Sequence, residues 1–229
     1  MKQLSWVAGL AAVLAGAPAM AHSINFDKVE VGYKRFKVSE DMDLEPFDMD
    51  TLTGVNLSLS KRFDNYYVEG NYYNVDDEQT SSTRLSDVAD ISVNLGLEIV
   101  QFTVGMGYIW ELDDTALFDV SLHAGRVELK GSGDYAITQL GETLHSEQGS
   151  DSDGENIYRL RGQYQTRVMN DIELRAGLGF EKSSGEDSDS NPLFFVGAGY
   201  HFNAMFSVNT EYRHVDDYKT LDVNFRYSF

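Results

Sequence analysis

Stretch after stretch of this 229-residue chain alternates apolar and polar side chains with a period of two, and the last such stretch ends on the final residue. Ile172, Leu174, Ala176, Leu178 and Phe180 oppose Glu173, Arg175, Gly177, Gly179 and Glu181. Tyr158, Leu160, Gly162, Tyr164 and Val168 oppose Arg159, Arg161, Gln163, Gln165 and Arg167. At the C-terminus Leu221, Val223, Phe225, Tyr227 and Phe229 oppose Thr220, Asp222, Asn224, Arg226 and Ser228. Successive side chains of a β-strand point to opposite faces, so each stretch is a strand with one apolar and one polar side. Similar stretches begin near Asp27, Gly54, Tyr66, Gln101, Ala116, Leu193 and Met205, which makes ten. Segments of about 11 residues cross a membrane at a tilt. The pattern predicts an all-β protein, a closed antiparallel up-and-down transmembrane barrel of ten strands, with eight strands as the alternative.

One segment departs from a simple parse. Ile91, Val93, Leu95, Leu97 and Ile99 are apolar at odd positions, whereas Phe102, Val104, Met106, Tyr108 and Trp110 are apolar at even ones. A hairpin turn there lacks the necessary glycine, asparagine or aspartate in Glu98-Ile99-Val100-Gln101. A bulge, which shifts the phase by one residue, is expected in a long fourth strand. The connections alternate in length. Short ones fall at 62–65, 112–115, 169–171 and 202–204, and long ones at 39–50, 74–90, 131–156 and 183–191, with a brief one at 215–217. Short turns at one end and long loops at the other fit periplasmic turns and extracellular loops.

A soluble barrel with apolar residues inside shows the same period, so the side that meets lipid needs its own evidence. The polar faces carry long charged and amide side chains of mixed sign, and the apolar faces carry aromatics near strand ends. These are Tyr66, Tyr72, Trp110, Tyr158, Tyr200, Phe202, Phe206, Tyr212, Tyr227 and Phe229. Aromatics at that level form the interfacial girdles of a membrane barrel. The polar faces are therefore expected to line the lumen. Their cations are Lys28, Lys34, Arg62, Arg159, Arg161, Arg167, Arg175, Arg213 and Arg226; their carboxylates are Glu30, Glu69, Glu111, Asp119, Glu173, Glu181, Glu211 and Asp222. A selective pore favours one sign along its path, whereas this balance suits mutual pairing. A structural ion-pair network is expected at Glu69, Arg159, Arg161, Glu173, Arg175, Glu211, Arg213, Asp222 and Arg226. Ten strands enclose little more space than eight, whose interiors side chains fill.

The N-terminus reads as an export signal. Lys2 precedes an apolar run from Trp6 to Ala17, and Ala19-Met20-Ala21 has the small-x-small form of a cleavage site. That run is shorter than the roughly 20 residues a spanning helix needs. Residues 1–21 are expected to be cleaved, leaving a single barrel domain over 22–229. The net charge is −19 at pH 7. The excess of carboxylates over cations in 39–50, 74–90, 130–156, 183–191 and Asp216-Asp217 equals the net charge left once Lys2 departs with the signal. The acidity thus belongs to the expected external loops and the barrel is neutral. The chain has no cysteine, which excludes disulfides, thiol nucleophiles and thiolate metal sites.

The ending Leu221-Asp222-Val223-Asn224-Phe225-Arg226-Tyr227-Ser228-Phe229 resembles the C-terminal signature of outer-membrane barrels. The resemblance implies that Phe225, Tyr227 and Phe229 form a signal read by the barrel assembly machinery. More narrowly, the chain resembles the outer-membrane protein β-barrel domain family of small porin-like proteins of Gram-negative bacteria. The resembling pieces are 66–73, Gly105-Met106-Gly107-Tyr108 before Asp113-Asp114-Thr115, 172–177 after Asn170-Asp171, and 196–202. The resemblance implies fold and outer-membrane location and supports no particular activity.

Candidate chemistry is sparse. Asp151-Ser152-Asp153-Gly154-Glu155-Asn156 lacks the terminal glutamate of a calcium loop, so a solvated loop is the expected reading. His214 beside Asp216 and Asp217 lies at an expected rim with no nucleophile arranged around it, and neither His123 nor His201 has a serine in a recognisable setting. No catalytic, cofactor-binding or metal site is assigned, no cofactor is expected, and no basic stripe for nucleic acid is present. The expected function is a non-enzymatic envelope or surface-interaction barrel with a largely plugged lumen, monomeric among outer-membrane lipids and lipopolysaccharide. A narrow channel for small solutes is the alternative, and a rim-active surface hydrolase a remote one.

Overall fold

The computed structural model describes residues 24–38, 47, 49–86, 89–140, 142–169, 171–184, 190–216 and 218–229. The expected signal segment 1–21, most of the 39–50 connection, 185–189 and Asp217 lie outside the described residues. Ten strands follow in order: β1 (Lys28–Val38), β2 (Thr51–Phe63), β3 (Tyr66–Ser86), β4 (Ala89–Glu111), β5 (Ala116–Gln139), β6 (Glu142–Val168), β7 (Ile172–Ser184), β8 (Ser190–His201), β9 (Phe206–Val215) and β10 (Tyr218–Ser228). Each pairs antiparallel with its neighbours in sequence, and β1 pairs with β10 from Lys28 opposite Ser228 to Val38 opposite Tyr218. The sheet closes on itself, so no strand of the ring keeps an open edge there. The Phe229 amide donates to the Asp27 carbonyl at 3.0 Å and extends the closure to the last residue.

One end of the ring carries both described chain ends and four tight turns. Asp64 takes a left-handed φ of 54°, which aspartate tolerates. Asp113 Oδ1 accepts from the Thr115 and Ala116 amides at 2.7 and 2.9 Å. Asn203 Oδ1 accepts from the Met205 and Phe206 amides at 2.9 Å each. The hydrogen bonds that Thr115 gives through its amide and its hydroxyl hold the Asp113 carboxyl below the usual carboxylate range.

Two expectations fail here. β4 has no bulge at 98–101: it pairs residue for residue with β3 from Tyr108 to Asp90, and with β5 along its whole length. The apolar residues change face because the surroundings change. Phe102, Val104, Met106 and Trp110 face outward and are exposed, whereas Ile99 points inward and is buried among Phe36, Leu52, Tyr73 and Val75. The strand keeps its phase; its outer face leaves the apolar belt, and its inner face packs.

The stretches 74–90 and 131–156 are strand rather than loop. β3, β4, β5 and β6 continue past Asp76, where β2 stops pairing, and beyond Asn156, where β7 stops. They form a four-stranded sheet standing above the ring. The outward apolar residues give way there because the outer face meets water, while polar cross-strand pairs keep the ladder. Thr80 donates to Asn94 at 3.0 Å, Ser82 to Ser92 at 3.2 Å, and Tyr135 to Glu147 at 3.0 Å. Register shifts occur only near the tips, at Arg84/Ser86 and Ile137/Thr138.

Candidate functional site: the barrel interior

The inward residues of the ring are mostly polar and buried, and the outward ones apolar and exposed. Arg226, on the inner face of β10, is 1% exposed; Leu178, on the outer face of β7, is 71% exposed. That is the reverse of a water-soluble protein, whose core is apolar. All ten aromatics expected in the girdles lie on the outer face. Tyr66, Tyr108, Trp110 and Phe118 run edge to tilted at centroid separations of 4.9, 4.6 and 5.9 Å near the turn end. An apolar belt on the outside of a closed sheet with charges within is the arrangement a bilayer requires. The chain is a β-barrel of the outer-membrane type.

The interior of the barrel is layered. At the turn end, Ile24 and Phe26 fold under the ring and pack on Tyr67, Ile109 and Leu117. At the other end Phe36, Leu52, Tyr73, Val75 and Ile99 form one apolar cluster, and Leu193, Phe195 and Val215 a second; Tyr218 packs against both. Between these caps lie the charges, in four groups. Nearest the turns, Arg226 bridges Glu30 at 2.6 Å and Glu173 at 2.9 Å, and His201 Nε2 lies 3.0 Å from Glu173. In the middle, Glu211 alone serves Arg213 at 2.9 Å, Arg175 at 3.2 Å and Arg161 at 3.8 Å. Higher up, Lys34 pairs with Asp222 at 2.5 Å, and Arg159 Nε donates to Glu181 at 2.7 Å while the Tyr218 hydroxyl donates to the same carboxylate at 2.6 Å. On the opposite wall Glu69 lies 3.1 Å from His123. Asp119 pairs with no cation among the described residues; Tyr67, Gln163 and Gln165 donate to it at 2.7, 3.0 and 3.2 Å.

Register explains several of these pairs. Lys34 and Asp222, Glu30 and Arg226, and Arg159 and Glu181 stand directly opposite each other on adjacent strands. Arg175 and Glu211 do not: β8 runs between them, with Gly197 opposite both. A Cβ at Gly197 would sit 2.5 Å from Arg175 Nε, so only glycine lets the guanidinium cross β8. A cavity of about 110 Å³ lies within, bounded by side chains including Phe26, Lys34, Tyr73, Arg161, Gln163 and Asp222.

All nine residues expected in the ion-pair network face this interior, grouped around Glu30, Lys34, Glu181 and His123. The apolar caps were missed. Their signal was parity: Phe36, Leu52, Tyr73 and Val75 share a face with Lys34, Asn56 and Glu69. Ser121 Oγ does lie 3.0 Å from His123 Nε2, a neighbour the sequence did not disclose. Glu69 meets the same nitrogen, and Nδ1 has no hydrogen-bond partner, so no serine–histidine–carboxylate relay forms. His214 faces outward and packs at a tilt against Phe194, with ring centroids 5.0 Å apart. Phe225 and Tyr227 also face outward, 5.6 and 5.4 Å from the Phe206 ring, and Lys61 lies over the Phe229 ring at 5.1 Å.

No family model matches the chain, and no curated protein sequence matches it. Among solved structures, the barrel is similar to the NanC porin (9% identity, TM-score 0.47, covering 88% of this chain and 100% of that one). It is also similar to the KdgM porin in complex with disordered oligogalacturonate (13%, TM-score 0.43, 88% and 99%). A third is Ail, the attachment invasion locus protein of Yersinia pestis, in complex with the heparin analogue sucrose octasulfate (14%, TM-score 0.33, 87% and 97%). At TM-scores below 0.5 these likenesses carry no weight for function.

Proposed function

We propose that the protein is a resident barrel of the bacterial outer membrane, exported by a cleaved signal over residues 1–21. In this reading it is non-enzymatic, its interior is filled, and it anchors a strand sheet at the cell surface. The layered lumen carries the reading. Two apolar caps enclose a charge network whose members pair with one another around a cavity of about 110 Å³. A conducting path needs continuous water and a favourable field along it; paired charges between apolar ends supply neither. The upright β3–β6 sheet supports the surface role, because its outer face is polar and its tips are acidic, with Glu142 and Glu147 on β6 and Asp90 on β4. The protein is expected to act as a monomer among outer-membrane lipids and lipopolysaccharide, placed there by assembly machinery that reads Phe225, Tyr227 and Phe229.

The test is single-channel recording of the full chain in planar bilayers. The filled-barrel reading predicts insertion without reproducible conductance steps. Steps of uniform size, dependent on salt, would replace it with the narrow-channel reading.

A further inference from the structure

Carboxylates outnumber cations two to one in this chain, 37 against 18, and the cations of the central lumen described above are paired with them. On the outer surface, Arg35 and Lys219 have no ion-pair partner among the described residues. They stand together. Lys37 and Lys219 are directly opposite on β1 and β10, Arg35 lies on the same face one step below Lys37, and His214 is opposite Lys219 on β9. Asp50 lies 2.6 Å from Lys37 at the edge of this group. Like charges placed directly opposite on a sheet destabilise it unless an anion lies between them.

The place is as specific as the charge. Arg35 is opposite Leu221, which is opposite Tyr212, and the row beneath holds Tyr33 and Val223; the four apolar and aromatic side chains are exposed. β1 and β10 end at Val38 and Tyr218, directly above. The cations therefore sit at the upper rim of the apolar belt, at the level of lipid head groups. We propose that Arg35, Lys37 and Lys219 hold a phosphate group on the head of an outer-leaflet lipid, whose acyl chains lie along Tyr33, Leu221 and Val223. A guanidinium matches phosphate oxygens two at a time, and ammonium groups add point charge. A lipid is the source rather than a soluble phosphate. The acidic surface above repels dissolved polyanions, whereas the bilayer delivers the phosphate in its own plane with the apolar contact attached.

This site rests on the reading that the barrel spans the outer membrane, and the experiment separates the two. The full chain is reconstituted in neutral phosphatidylcholine nanodiscs containing trace lipid A, with or without its phosphates, and retained lipid is counted by native mass spectrometry. Failure to insert would count against the membrane reading itself. Given insertion, the wild type is expected to retain phosphorylated lipid A over the dephosphorylated form. The double substitution Arg35→Gln with Lys219→Gln should weaken retention about fivefold for each cation removed. Arg35→Lys should restore part of it, and Arg84→Gln, far up the β3 hairpin, should change nothing. Equal retention by the double variant, or equal retention of the dephosphorylated lipid, would overturn the site. So would full competition by millimolar inorganic phosphate, and so would wild-type dimers that dissociate on substitution, which would assign the cluster to a second copy.

Discussion

Glu211 meets three guanidiniums, more than any other carboxylate among the described residues. Removing its charge leaves Arg161, Arg175 and Arg213 facing one another in a buried space. Breaking a buried pair by deleting one partner costs about 3–5 kcal/mol, because the other charge stays without compensation. Glu211→Gln is therefore expected to lower the unfolding free energy, measured by urea titration in lipid vesicles, by that order, with the β-sheet spectrum of the folded form unchanged. An unaltered midpoint would mean that water, not Glu211, neutralises these arginines. At this scale the sequence disclosed which residues face inward, since parity alone assigns Glu173, Glu211, Asp222 and Arg226. It did not disclose partners. Arg175 reaches Glu211 across Gly197 on an intervening strand, and no spacing in the chain encodes that crossing.

The strands show where hydropathy patterns serve and where they mislead. Within the belt the alternation of β7 and β10 marks inside and outside without error, because the two faces have opposite solvents. Above the belt the outer face turns polar, and on β4 the apolar residues move to the inner face. Thr80, Ser82, Ser92 and Asn94 read as loop residues although they hold a ladder, and the apolar odd positions of β4 read as a bulge although the strand is continuous. The tight turns tell a similar story. Asp64 suits its left-handed backbone, but Met169, with φ of 55°, does not. A residue with a Cβ costs about 1–2 kcal/mol in that region, whereas glycine adopts it freely. Met169→Gly should raise the unfolding free energy by about 1 kcal/mol in the same assay. A loss of stability would show that the Met169 side chain, exposed in this turn, makes contacts in the membrane interface that outweigh the backbone term.

For the whole molecule, the partition of side chains decides what the barrel can be. An apolar exterior, apolar clusters at both ends and a charge-paired middle are the features on which the proposed filled-barrel reading rests. Each buried cap residue such as Phe36 or Leu52 contributes roughly 1.5–3 kcal/mol, so the caps supply stability as well as closure. The absence of cysteine from the chain gives a direct way to probe this filling. Single cysteines at Thr103 and Ser121 in the lumen, and at Thr80 on the upright sheet, can be challenged in liposomes with a membrane-impermeant thiol reagent. A filled interior predicts rapid labelling at Thr80→Cys and almost none at Thr103→Cys and Ser121→Cys. Rapid labelling of both lumen positions would contradict it and show that water runs through the barrel.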